Sequence, residues 1–186
     1  MTPPPWPPPA LLAELVDAAA LRTGLADAGL PVLQVQATYV RLKPEASILV
    51  AYEAVVEGHA GPLRGYVRTF AAPERAAALA AAWRRKRPLA SDAGPALAAA
   101  VGPASVLFAL PNDDLLPALR VVLRPDKLKR VLTPLLVGSA GDRVAGTAAS
   151  VIPVRYKPER RLVAAAAFPV VSPDRSRKVA ALHLRV

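Results

Sequence analysis

The sequence predicts an α+β protein built from two related antiparallel sheet units with intervening helices. Three observations lead there. The hexapeptide Val40-Arg41-Leu42-Lys43-Pro44-Glu45 returns as Val154-Arg155-Tyr156-Lys157-Pro158-Glu159, each time opening a stretch of strand character. Past it, Ile48-Leu49-Val50-Ala51 matches Leu162-Val163-Ala164-Ala165, and after a short insertion Tyr66-Val67-Arg68-Thr69 falls on His183-Leu184-Arg185-Val186. Ahead of the first copy, over residues 10–28, and in several segments between the copies, the apolar residues recur at helical spacing.

Taken in order, residues 1–9 form a Pro-rich terminus around Trp6, extended and solvated. Residues 10–28 carry Leu11, Leu12, Leu15, Ala18, Ala19 and Leu21 at helical spacing, which predicts one amphipathic helix stopped at Gly29. Residues 32–39 alternate at period two as a half-buried strand does, and Pro44 marks the turn after it. Residues 47–56 and 63–70 read as the next two strands, joined by Glu57-Gly58-His59-Ala60-Gly61. A three-stranded meander followed by a helix over 73–84 is the simplest assembly.

The middle of the chain predicts a helix over 91–100 and a strand over 105–110. Asp113 or Asp114 would cap a helix containing Leu115, Leu116 and Leu119. Pro125 and Asp126 suit a first helical turn, with Leu128, Val131 and Leu132 on one face. Strands of the second copy fall near 150–156, 161–171 and 179–186, and Pro169 implies an edge strand or a bulge. The predicted organisation is a flexible terminus (1–9), a first unit (10–137), a linker (138–149) and a second, incomplete sheet unit (150–186). A chain stopping on an apolar strand reads as the front of a longer protein.

Composition narrows the function classes. The 186 residues are 53% hydrophobic but only 5% aromatic, so Ala, Val and Leu must carry the core. Without cysteine there is no disulfide framework, thiolate metal site or cysteine nucleophile, and a reducing cytoplasm is the expected compartment. No segment approaches the roughly 20 apolar residues of a membrane span. The net charge of +10 favours anionic ligands or an acidic partner surface. Its sharpest cluster, Arg84-Arg85-Lys86-Arg87, follows a helical segment and suits the negative end of its macrodipole. With no aromatic stacking platform or recognition helix, nucleic acid is not the expected partner.

Phosphate-loop, dinucleotide and nucleophile-elbow motifs are all missing from the sequence. His59 reads as a turn residue and His183 as a cross-strand neighbour, and no metal ligand set or catalytic constellation can be assembled. Lys43 and Lys157 precede proline at a strand end, where a solvated charge protects a sheet edge. Arg41 and Arg155 share a strand face with them, giving each copy a cationic strip suited to a polyanion.

Residues 154–163, together with Phe108-Ala109-Leu110-Pro111-Asn112-Asp113-Asp114-Leu115 and the stretch to Lys129-Arg130-Val131-Leu132, resemble the amino-terminal part of bacterial phosphotransferases of the aminoglycoside/choline kinase-like superfamily. In that family an Arg-Tyr-Lys-Pro-Gly/Glu-Arg-Arg strand pair opens the nucleotide-side lobe, and a following strand brings a lysine toward the ATP phosphates. The resemblance therefore implies sheets like a kinase N-lobe, with ATP and Mg2+ as cofactors of the complete enzyme. It also implies a carboxy-terminal catalytic lobe that supplies the His-Gly-Asp loop, the magnesium-binding aspartate and the pocket for a small-molecule phosphoryl acceptor. Neither of those catalytic features occurs in this chain, and arginine stands at both aligned lysine positions, Arg68 and Arg185. The expected phosphate-binding set is Arg41, Lys43, Arg68, Arg155, Lys157 and Arg185, with no catalytic residue. The expected function is the nucleotide-side portion of a kinase-like phosphotransferase; the alternative is a non-catalytic module that binds an anion or a partner on the same scaffold.

Overall fold

The computed structural model describes residues 6–59, 61–92, 94–136, 141–145 and 150–186. Its contacts fall into two compact units, residues 1–90 with 94–112 and residues 91–93 with 113–186. The division lies at Asn112 and Asp113, whereas the sequence pattern suggests one at 137 and 138.

The first unit begins with α1 (Pro9–Val16) and α2 (Ala18–Asp27) rather than the single helix expected over 10–28. The break is chemical. Asp17 adopts an extended conformation, and its carboxylate accepts hydrogen bonds from the amides of Ala19 and Ala20, making it the N-cap of a new helix. Helix α2 stops at Gly29 as predicted. The Gly29 amide donates to the Ala26 carbonyl and the Leu30 amide to that of Leu25, a Schellman closure that requires the positive φ of +83° at Gly29.

Next come β1 (Val32–Lys43), β2 (Ser47–Val56), β3 (Leu63–Phe70), α3 (Pro73–Lys86), β4 (Ala98–Val101) and β5 (Ser105–Ala109). The expected meander of β1, β2 and β3 is present, and β5 and β4 extend it to a five-stranded antiparallel sheet in the order β1-β2-β3-β5-β4. The helix expected over 91–100 does not form. Its alanines pair with β5 instead, Ala98 opposite Phe108 and Ala100 opposite Val106. A Cβ at Gly94 would collide with the Leu110 carbonyl and the Leu63 side chain, so the chain is held flat against its neighbours there. Tertiary pairing overrides the helix propensity of alanine.

Both faces of this sheet carry helices. One packs on α2 through Leu21, Leu25, Val35, Tyr52, Val67 and Leu107. The other carries Tyr66 stacked on Phe108 at 4.6 Å, with Trp83 of α3 set edge-on to Phe108 at 5.5 Å. Asn112, fully buried, closes the unit by accepting from the Leu89 amide and donating to the carbonyls of Leu89 and Ala109.

The second unit contains α4 (Leu119–Val122), α5 (Pro125–Leu136), β6 (Arg143–Val144), β7 (Ser150–Lys157), β8 (Arg161–Val171) and β9 (Arg177–Arg185). The helix expected through Leu115 and Leu116 is only the single turn of α4. In α5, Leu128 is buried but Val131 is 58% exposed, so the expected three-residue apolar face narrows to Leu128 and Leu132. Part of the expected linker is structural, since β6 pairs with Val170 and Val171 of β8; residues 138–140 and 146–149 lie outside the described residues.

Strand β8 is central, with β9 along one side and β7 followed by β6 along the other. Pro169 is therefore neither at an edge nor in a bulge. It occupies the gap where pairing with β7 has ended at Ala167 and pairing with β6 begins at Val170, and its carbonyl accepts from the Ala145 amide. The missing N–H faces that same interrupted side, where it costs a central strand least. Leu162, Ala164, Ala166, Phe168 and Val170 are buried, Ala166 and Phe168 packing with Leu128 and Val144, while Val163, Ala165, Ala167, Pro169 and Val171 are only half-buried. One face of this sheet is thus core and the other open.

Candidate functional site

The repeated hexapeptide builds the same turn twice. Pro44 and Pro158 sit at the second position of a four-residue turn, and Glu45 (φ 56°) and Glu159 (φ 57°) at the third. The Ala46 amide donates to the Lys43 carbonyl and the Arg160 amide to that of Lys157, both at 3.1 Å. Proline followed by a left-handed residue is the type II pattern.

From these turns the strand register carries the repeat outward. Leu49 of β2 lies opposite Arg41 on one side and Arg68 on the other. Val163 of β8 lies opposite Arg155 and Arg185 in the same way. Each sheet therefore presents an arginine–aliphatic–arginine row, with the two arginine backbones two strand spacings, roughly 10 Å, apart.

The rows differ in environment. Arg41 and Arg68 are half-buried. The Arg68 guanidinium lies 4.8 Å from the centre of the Phe70 ring, which Arg75 also approaches at 5.5 Å, so the first row is engaged within its own unit. Arg155, His183 and Arg185 are exposed, and neither Arg155 nor Arg185 makes an ion pair among the described residues. None of β7, β8 and β9 contains an acidic residue. Half-exposed alanines and the exposed Ile152 and Val154 surround the second row.

The remaining expected residues take simpler places. Lys43 is exposed near the end of β1, an edge strand of the first sheet, and Lys157 is half-buried at the end of β7, beside the Glu159 turn. His59 lies in its turn, with Nδ1 3.0 Å from the Gly61 carbonyl, and His183 is opposite Ala165. Arg84, Arg85 and Lys86 form the last turn of α3, and the Lys86 ammonium stacks over Trp83 at 5.0 Å.

One organising residue was visible in the sequence only as a cap. Asp113 is 3% exposed, and its Oδ1 accepts from the amides of Leu115 and Leu116. Its Oδ2 accepts from the Tyr156 hydroxyl at 2.6 Å and from the Glu159 amide at 2.8 Å. A single buried carboxyl group thereby fixes the second repeat turn and the strand end that leads to Arg155.

Among the described residues no three His, Cys, Asp or Glu side chains converge to hold a metal ion. The arginine rows suit phosphate oxygens, which guanidinium groups can grip in a fork. No helix of the described residues is long and apolar enough to cross a membrane. Comparison with protein-family models, with curated proteins and with solved structures yields no match to this chain.

Proposed function

We propose that this chain is the nucleotide-side portion of a kinase-like phosphotransferase and that the Arg155–Val163–Arg185 row receives the phosphate chain. The observation that carries this reading is the placement of two exposed arginines, free of ion pairs among the described residues, across one aliphatic residue of an open sheet. In protein kinases the lysine that contacts the nucleotide phosphates lies on the third strand of the sheet. Arg68 and Arg185 occupy the third strand of their respective meanders. ATP would bind through its phosphates, and the base and magnesium ligands that phosphoryl transfer needs would come from a catalytic lobe beyond these residues.

A second reading has its own support. Arginine stands at both positions where the family resemblance implies lysine, as suits an anion-binding module that performs no transfer. Calorimetric titration with ATP, adenosine and inorganic tripolyphosphate separates the two. ATP binding more tightly than tripolyphosphate supports the nucleotide-side lobe. Equal affinities favour the anion module, and no binding of either removes both.

A further inference from the structure

A five-stranded sheet is roughly 19 Å across its strands, while one helix with its side chains covers only about 10 Å. Helix α2 packs chiefly against β1, so the part of the same face formed by β3, β5 and β4 is left without a full cover. A cavity of about 280 Å³ opens there. Its floor is Val67, Ser105 and Leu107, and its far wall is the hairpin from Ala100 to Gly102. Leu21, Gly24 and Leu25 of α2 form the roof, and a Cβ placed on Gly24 would meet nothing within 4 Å. The space persists because α2 presents glycine where a larger side chain would fill it.

The charge of this cavity is opposite to that of the chain. In a protein of net charge +10, its lining contains Glu14 and Asp27 and no lysine or arginine. Asp27 also ends α2, where a carboxylate opposes the helix macrodipole and where no basic residue compensates it. Both carboxylates are exposed, so they stand at the opening while Leu21, Leu25, Val67 and Leu107 are buried beneath.

We infer that this cavity binds a small cationic amphiphile, an apolar body seated between α2 and the sheet with one ammonium group held at the opening by Glu14 and Asp27. Its volume falls near the lower end of those that hold small ligands. The site lies wholly within the first unit and does not depend on phosphate binding by the second sheet.

The test is an NMR titration of the full chain with n-hexylamine, n-hexanol and n-hexanoate, following the amides of Gly24 and Gly102. Hexylamine is expected to shift both in a saturable manner, hexanol to bind more weakly, and hexanoate to leave them unmoved. Glu14→Gln and Asp27→Asn, both exposed positions that leave the core intact, should each weaken hexylamine by about threefold. Gly24→Leu should abolish the response. Equal binding of the three probes would overturn the ammonium assignment, and unmoved amides with hexylamine would overturn the site itself.

Discussion

Arg155 and Arg185 face each other across Val163, just as Arg41 and Arg68 face each other across Leu49. The Arg41–Leu49 and Arg155–Val163 pairings are set by the repeated turn that joins their strands, and the Leu49–Arg68 and Val163–Arg185 pairings by the hairpin that follows. A register displaced by one residue would send each arginine to the opposite face. The repeat therefore preserves a placement of charge as well as a fold. Only the second row is exposed, and binding should follow it. Replacing both Arg155 and Arg185 by Gln should weaken tripolyphosphate by about tenfold or more, since hydrogen bonds to charged groups contribute about 1.5–3 kcal/mol each. Arg84→Gln should leave the affinity unchanged, and parallel titrations at two salt concentrations check that the loss is electrostatic.

Asp113 holds the turn beside that row. Asp113→Ala removes the acceptor of four hydrogen bonds and leaves the half-buried Tyr156 hydroxyl and the buried Glu159 amide without this partner. The second unit should lose about 3 kcal/mol or more. Tyr156→Phe removes one of the four bonds and should cost about 1 kcal/mol. Hydrogen exchange at the Glu159 amide reads both effects locally, with the larger acceleration in Asp113→Ala.

The two repeat turns should respond differently to glycine. Glu45 is exposed and Glu159 is 6% exposed, yet both carry a positive φ that a side chain disfavours. Glu45→Gly should stabilise the first unit by about 0.5–1 kcal/mol through relief of that conformation. Glu159→Gly gains the same relief but loses a buried side chain and its contacts, and should not stabilise. Thermal unfolding midpoints of the two variants give the comparison.

Tyr52 makes the first unit sensitive to alkali. Its phenol lies in the core, donates to the Phe108 carbonyl at 2.8 Å, and burial pushes its pKa far above the ordinary value. Below pH ~10 the phenol is protonated in both the folded and unfolded chain and adds no pH dependence. Above it the unfolded chain releases the proton and the folded chain keeps it, so stability should fall by about 1.4 kcal/mol per pH unit. Tyr52→Phe should lose some stability at neutral pH but show a shallower alkaline slope, measured by urea unfolding between neutral and alkaline pH. Gly65 guards the same contact, because a Cβ there would strike the Phe108 carbonyl and the Tyr52 hydroxyl. Gly65→Ala should therefore be more damaging than Tyr52→Phe.

The repeated turn was legible in the sequence because the same proline-containing hexapeptide occurs twice. The rows of arginine were not, because they arise from the pairing of three strands and not from the alternation of Arg41 with Lys43 or of Arg155 with Lys157 along one. Nor were the first sheet's extra strands, because Ala98-Ala99-Ala100 has helical composition and becomes a strand only by pairing with β5. Asp17 hid within an otherwise helical spacing, and only its capping bonds separate α1 from α2. The place of Pro169 depends on where β7 gives way to β6, a relation between distant segments that no local pattern contains. Asp113 drew notice as a cap, but its bonds to Tyr156 and Glu159 join positions more than forty residues apart. The cavity beside α2 follows from the relative widths of a helix and a five-stranded sheet, and so becomes visible only once the strands are counted.

The most direct test of the phosphate-binding role is to follow the side-chain Nε–H resonances of the arginines while ATP is added to the full chain. The account predicts saturable shifts at Arg155 and Arg185 with a common dissociation constant, and little change at Arg84 and Arg85. Saturation that moves Arg84 and Arg85 and leaves Arg155 and Arg185 in place would contradict it.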